Sequence, residues 1–203
     1  MVLKATATLC VVAMLGLAGC DEFAFSDPPT SDQAAYAALQ AETLSLRDAT
    51  ESLAVTPVAE IPLMGSAEYR GTAVVALDPL AGGAASELIG TARVTADFAA
   101  STVTGQADGF YGTINGGDVT GFDGQVFLSQ GAIDRTGTAA QIGADVNGTL
   151  QGGGDTLVID GAVAGNFLGD PLLLNEAPEA LSLATDDATV LRLNGAAATG
   201  GME

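Results

Sequence analysis

From Gly65 onward the chain changes sides at every second residue. Ala140, Ile142, Ala144, Val146, Gly148 and Leu150 alternate with Gln141, Asp145, Asn147, Thr149 and Gln151. Successive strand side chains point to opposite faces, so this pattern gives a strand one apolar and one polar face, which a helix of period 3.6 cannot do. The same alternation sets Tyr69, Gly71, Ala73, Val75 and Leu77 against Glu68, Arg70, Thr72 and Asp78. It sets Gly90, Ala92, Val94, Ala96 and Phe98 against Thr91, Arg93, Thr95 and Asp97. Val103, Gly105 and Ala107 oppose Thr104, Gln106 and Asp108. Further apolar sets are Phe122, Gly124, Val126, Leu128 and Leu157, Ile159, Gly161, Val163, Gly165, Phe167. A last strand is expected over Thr189–Gly195, and an additional one around Gly131–Thr136. Turn residues separate them at Ala99-Ala100, Asn115-Gly116-Gly117 and Gly152-Gly153-Gly154-Asp155.

Consecutive hairpins with one apolar face pack as an antiparallel sandwich or barrel, and closure removes exposed sheet edges. The expected fold is therefore all-β: an antiparallel, soluble β-barrel of about eight strands, preceded by one α-helix. A membrane-spanning barrel also alternates, but it carries aromatic girdles at both interfaces. This chain has no Trp, three Tyr and seven Phe, too few for two girdles.

The helix is expected over 30–56. Thr30 and Gln33 stand at capping-box spacing, and Tyr36, Leu39, Thr43, Leu46, Thr50 and Leu53 fall on one stripe. That stripe is partly polar, which suits a helix lying on the outside of the domain. Pro57 to Pro62 ends it.

Residues 1–19 read as a signal peptide: Lys4, then an apolar run from Leu9 to Ala18 too short to span a bilayer. Leu17-Ala18-Gly19-Cys20 resembles the bacterial lipobox, which implies cleavage before Cys20 and acylation of that cysteine. Several acyl chains, palmitate among them, would anchor firmly where one anchors marginally. Asp21 to Pro29 is then a tether, so that 20–29 links the anchor to the helix and 65–203 forms the barrel domain. Asp21 leaves the choice between inner and outer membrane open, because its sorting role varies among bacteria.

Cleavage removes the only Lys and Cys10, and moves the formal charge from -19 to -20. The remaining cations are Arg47, Arg70, Arg93, Arg135 and Arg192, against 25 acids. Such a chain repels nucleic acid, having no basic patch to release counterions. It has no His, so no imidazole serves a serine triad. With Cys20 acylated there is no free thiolate, and no Lys for a Schiff base. Zinc and haem sites rely mainly on His and Cys. Only carboxylate chemistry survives, and nothing marks a catalytic pair. The expectation is a non-enzyme with no catalytic residue, cofactor or metal. Gly152-Gly153-Gly154-Asp155-Thr156-Leu157 and Asn115-Gly116-Gly117-Asp118 echo a calcium β-roll repeat, but they stand far apart and read as turns.

Three segments carry a resemblance. Gly65-Ser66-Ala67-Glu68-Tyr69-Arg70-Gly71 resembles the opening strand of the transferrin-binding protein B-type β-barrel. The run from Thr95 to Gly105, with Asp97-Phe98 and Thr102-Val103-Thr104-Gly105, resembles its central hairpin. Gly165-Asn166-Phe167-Leu168-Gly169 resembles its late Gly-x-Phe-x-Gly strand. The resemblance implies a surface or outer-membrane lipoprotein that binds a partner, protein or small solute, chiefly through loops. It implies no particular ligand and no binding residue, and the chain has one barrel where the receptors have two lobes. The alternative is a structural envelope or surface-coat lipoprotein without a specific ligand.

The inward face is rich in small residues: Gly71, Ala73, Gly90, Ala92, Gly105, Ala107, Ala144, Gly148, Gly161 and Gly165. Interiors pack densely, so a filled barrel is expected, with binding left to the loops Leu80–Glu87 and Gly169–Asp187 and to the outer surface.

Overall fold

The computed structural model describes residues 31–77, 86–171, 176–184 and 190–198, the last stretch for its backbone alone. The eight strands are β1 (Ser66–Leu77), β2 (Ser86–Asp97), β3 (Thr102–Thr113), β4 (Thr120–Asp134), β5 (Gln141–Gly152), β6 (Asp155–Leu168), β7 (Ala180–Ala184) and β8 (Val190–Ala198). Each pairs antiparallel with the next, and β8 returns to β1 through nine register pairs from Glu68↔Ala198 to Ala76↔Val190. The result is a closed up-and-down barrel with one helix, α1 (Asp32–Glu51), lying outside it. Its apolar side chains face the axis and its outer face is largely polar, the polarity of a barrel surrounded by water. The expected signal peptide, Cys20 and the expected tether lie outside the described residues.

Two expectations about strands are corrected. The segment around Gly131–Thr136 is not a separate strand but the end of β4. Register shifts between Ser129 and Ala132, where Gln130 has φ 53°, form a bulge that moves the inward set from Val126 and Leu128 to Gly131 and Ile133. A bulge inserts one residue and flips the parity, so one strand reads as two. The remaining strand is β7, which lies inside the segment expected to be the loop Gly169–Asp187. Ala-Leu-Ser-Leu-Ala is only five residues long and follows Pro171 and Pro178, which masked its alternation. That loop is therefore two connections, leaving from opposite ends of the barrel. The other expected loop, Leu80–Glu87, ends sooner, since Ser86 and Glu87 already belong to β2. Residues 78–85, 172–175 and 185–189 lie outside the described part.

The helix is shorter than 30–56. It runs Asp32–Glu51, and its cap is Ser31, whose hydroxyl accepts from Ala34 N at 3.2 Å. Capping from Ser31 moves the register by one and leaves Gln33 out of a capping box. The segment beyond it belongs to the barrel body, which the boundary at Gly65 had excluded. Val55 bridges Leu168, Pro57 bridges Ala139, and the buried Thr56 hydroxyl donates to Gly169 O at 2.8 Å. Ile61 is 3% exposed and joins the core. Arg135 fastens this cover by donating to Pro62 O at 2.9 Å, Phe98 O at 3.2 Å and Ile61 O at 3.4 Å.

Small inward residues serve close approach. A Cβ on Gly148 would meet the backbone of Gln125, and one on Gly165 the backbone of Ser182. Neighbouring strands thus press on the glycines, which lets a narrow barrel bend. Large side chains pack inside: Tyr69, Phe98 and Phe167 form a tilted aromatic cluster, with centroids 6.0 Å apart for Tyr69–Phe167 and 5.7 Å for Phe98–Phe167. Gly161 differs; its Cβ would meet nothing within 4 Å, and it is exposed.

The Tyr69 hydroxyl is buried without a hydrogen-bond partner among the described residues, and burial pushes its phenol well above the ordinary value. An orphaned hydroxyl costs stability that its removal restores. Tyr69→Phe is expected to raise the denaturant midpoint, by about 1 kcal/mol of stability. A lower midpoint would show that the hydroxyl has a partner in solution.

Candidate functional site

The helix docks on the outer wall of β1–β3, and that docking builds the candidate site. Tyr36 and Leu39 pack on Val74 and Ile89, with Tyr111 and Val119 beside them. These wall residues interrupt the polar outer face because they are covered. Polar contacts fix the helix at three levels. Asp32 Oδ2 accepts from Gly121 N at 3.0 Å, Tyr36 OH donates to Glu87 Oε1 at 3.0 Å, and the hydroxyls of Thr43 and Thr72 are bonded at 2.8 Å.

Tyr36 is pushed up to about 12 from its ordinary 10.0, first by burial and then by its bond to the Glu87 carboxylate and that group's charge. The folded state therefore favours the neutral phenol. Its contribution is complete below the unfolded value of 10.0 and is lost as pH rises through about 12. The stability difference between wild type and Tyr36→Phe, followed by denaturant melts, is expected to shrink across that window. A difference that stays constant would contradict the tyrosine's role.

Beside the docked helix lies a groove of about 370 Å³, lined by Glu42 of α1 and by Arg70, Gly71, Thr91, Ala92, Arg93, Gln106 and Asp108 of β1–β3. Arg70 and Arg93 are direct cross-strand partners, and Arg93 faces Gln106 in the next pair. Like charges directly opposite repel. The carboxylate that offsets them is Glu68, whose Oε1 lies 2.6 Å from Arg70 Nε and 3.4 Å from Arg93 Nε. Both contacts use Nε. Among the described residues, the terminal amines of neither arginine have a hydrogen-bond partner. Asp108 Oδ1 accepts from Thr91 Oγ1 at 3.1 Å. Glu42 is exposed and has no hydrogen bond or ion pair among the described residues.

The other arginines with described side chains have structural tasks. Arg135 ties down 61–62, and Arg47 lies 3.6 Å from Glu51 on the helix surface. Among the arginines with described side chains, Arg70 and Arg93 are the two that line this groove. A broader and shallower depression of about 760 Å³ lies on the wall of β4–β6, bordered by Phe127 and Val158, 42% and 76% exposed. Among the described residues no group of three or more His, Cys, Asp or Glu is placed to hold a metal ion, and no helix is long and apolar enough to cross a membrane.

The sequence placed Arg70 and Arg93 correctly on outer strand faces without bringing them together, and it did not single out Glu42. Pairing the two strands in register is the signal that would have joined the arginines. Of the expected binding loops, the connections after β1 and after β7 leave from one end of the barrel, beside each other, and the connection after β6 leaves from the other. No family model, curated protein or solved structure matches this chain.

Proposed function

We propose that the chain is a lipid-anchored extracytoplasmic binding protein of the transferrin-binding-protein-like barrel type, held through acylated Cys20 in the cell envelope, with the outer membrane as its site. The observation that carries the binding reading is the groove under α1. Two guanidinium groups are held side by side there through their Nε atoms by Glu68, with terminal amines that have no partner among the described residues. Planar paired guanidinium groups recognise oxyanions in two-point fashion. The anchor reading rests on Leu17-Ala18-Gly19-Cys20. No catalytic step is assigned.

Two measurements test this. Cys20→Ser is expected to release the protein from membranes or leave it uncleaved. A variant that still fractionates as lipid-modified sinks the anchor. Native mass spectrometry of detergent-extracted protein is expected to show the acyl chains and a bound molecule. Extraction that yields only the bare acylated chain favours the envelope protein.

A further inference from the structure

We propose that the groove between α1 and the barrel wall binds a small zwitterion, a ligand carrying a carboxylate and an ammonium group, as a free amino acid does. This rests on the reading of the chain as a binding protein and names its ligand class. The argument is one of charge placement. Arg70 and Arg93 are register partners on β1 and β2, and both spend Nε on one oxygen of Glu68, at 2.6 and 3.4 Å. Their terminal amines are left as a pair of donors facing solvent. A carboxylate is the planar acceptor that fits such a pair.

The acidic rim selects against a plain anion. Glu42 and Asp108 line the same groove, so its five charged groups, Glu68 included, sum to one negative charge. The whole chain is at -19. An anion approaches against that field, and a dianion such as phosphate more so. A zwitterion approaches at no net charge. Its carboxylate meets the arginines and its ammonium meets the acids, of which Glu42 is unengaged and Asp108 has only one oxygen taken, by Thr91. Gln106 supplies an amide beside Arg93. The floor is the backbone of Gly71 and Ala92, residues of the inward set. A volume of about 370 Å³ admits a group of amino-acid size and excludes a folded partner.

The test is a titration of the full chain in detergent, followed by amide chemical shifts at Thr91, Arg93 and Gln106. The probes are glycine, β-alanine and 4-aminobutyrate, whose charges stand progressively further apart, with acetate and methylamine as the separate halves. At least one zwitterion is expected to shift these amides at concentrations where neither half does. Arg70→Gln with Arg93→Gln, and separately Glu42→Gln, are each expected to weaken that binding roughly tenfold or more, the loss of a charged hydrogen bond. An unchanged melting profile, expected of such exposed substitutions, confirms folding. Acetate binding as tightly as the zwitterions overturns the proposal in favour of an anion site. Zwitterion binding that survives the arginine substitutions overturns the location. If no probe binds while native mass spectrometry finds another bound molecule, the zwitterion assignment fails and the binding protein stands. If neither binds, both fail.

Discussion

Gly90→Val is expected to cost about 3 kcal/mol or more, a large share of the roughly 5–15 kcal/mol that holds an ordinary domain folded. A Cβ at Gly90 would lie 2.6 Å from Asp108 O and 2.8 Å from Cδ1 of Phe110. Real Cβ atoms do not come so near, so β3 or the Phe110 ring must move. Neither has room. Gly90 sits in the irregular stretch where the β2–β3 register shifts, and Gly109 across from it has φ 61°. The Phe110 ring is fully buried. The check is a denaturant melt beside Gly143→Ala, whose Cβ would meet nothing within 4 Å. That control is expected to stay within about 0.5 kcal/mol of wild type. Equal melts for the two variants would mean that the barrel is wider than described.

The second large effect is expected from Phe167→Ala, at about 3–5 kcal/mol. Phe167 is fully buried, bridges Tyr69 and Phe98, and pairs in register with Leu181 of β7. Its carbonyl also accepts from Thr56 N at 2.9 Å, tying the core to the segment that covers this end of the barrel. Truncation leaves a cavity that flanking strands cannot fill without giving up their ladder. Phe127→Ala makes the contrast, because that ring is 42% exposed on the outer wall and should change stability little. A small loss at Phe167 would show that this end of the barrel is loosely packed.

Much of this architecture was legible because period two needs no tertiary knowledge. Tyr69 to Val75, Ala92 to Phe98 and Ile142 to Leu150 face inward as their alternation requires. What failed did so where parity breaks or where a strand is short. The bulge at Gln130 made β4 look like two strands. β7, with only Leu181 and Leu183 turned inward, gave too little alternation to stand out from a loop. The helix stripe was read well, since Tyr36, Leu39 and Thr50 are buried, but its cap was misplaced by one residue. The groove was harder. Arg70 and Arg93 belong to separate alternating runs, and only the register Arg70↔Arg93 makes them neighbours. Glu42 arrives from a helix whose seat on the wall depends on Val74, Ile89 and Tyr111, three residues that break the polar outer face.

Under the proposed anchoring, the way α1 lies along the wall sets which rim of the barrel the start of the helix stands at. Its first residue, Asp32, is bonded to Gly121 at the rim that carries the Asn115-Gly116-Gly117 turn, and the chain then runs to the opposite rim before entering β1. Ten residues separate Cys20 from Ser31, a leash of about 35 Å at full stretch. Suspended from the proposed anchor, the barrel turns its Asn115 and Gly153-Gly154 turns toward the bilayer. The Ala99-Ala100 turn, the 135–140 connection and the cover over Ile61 point away.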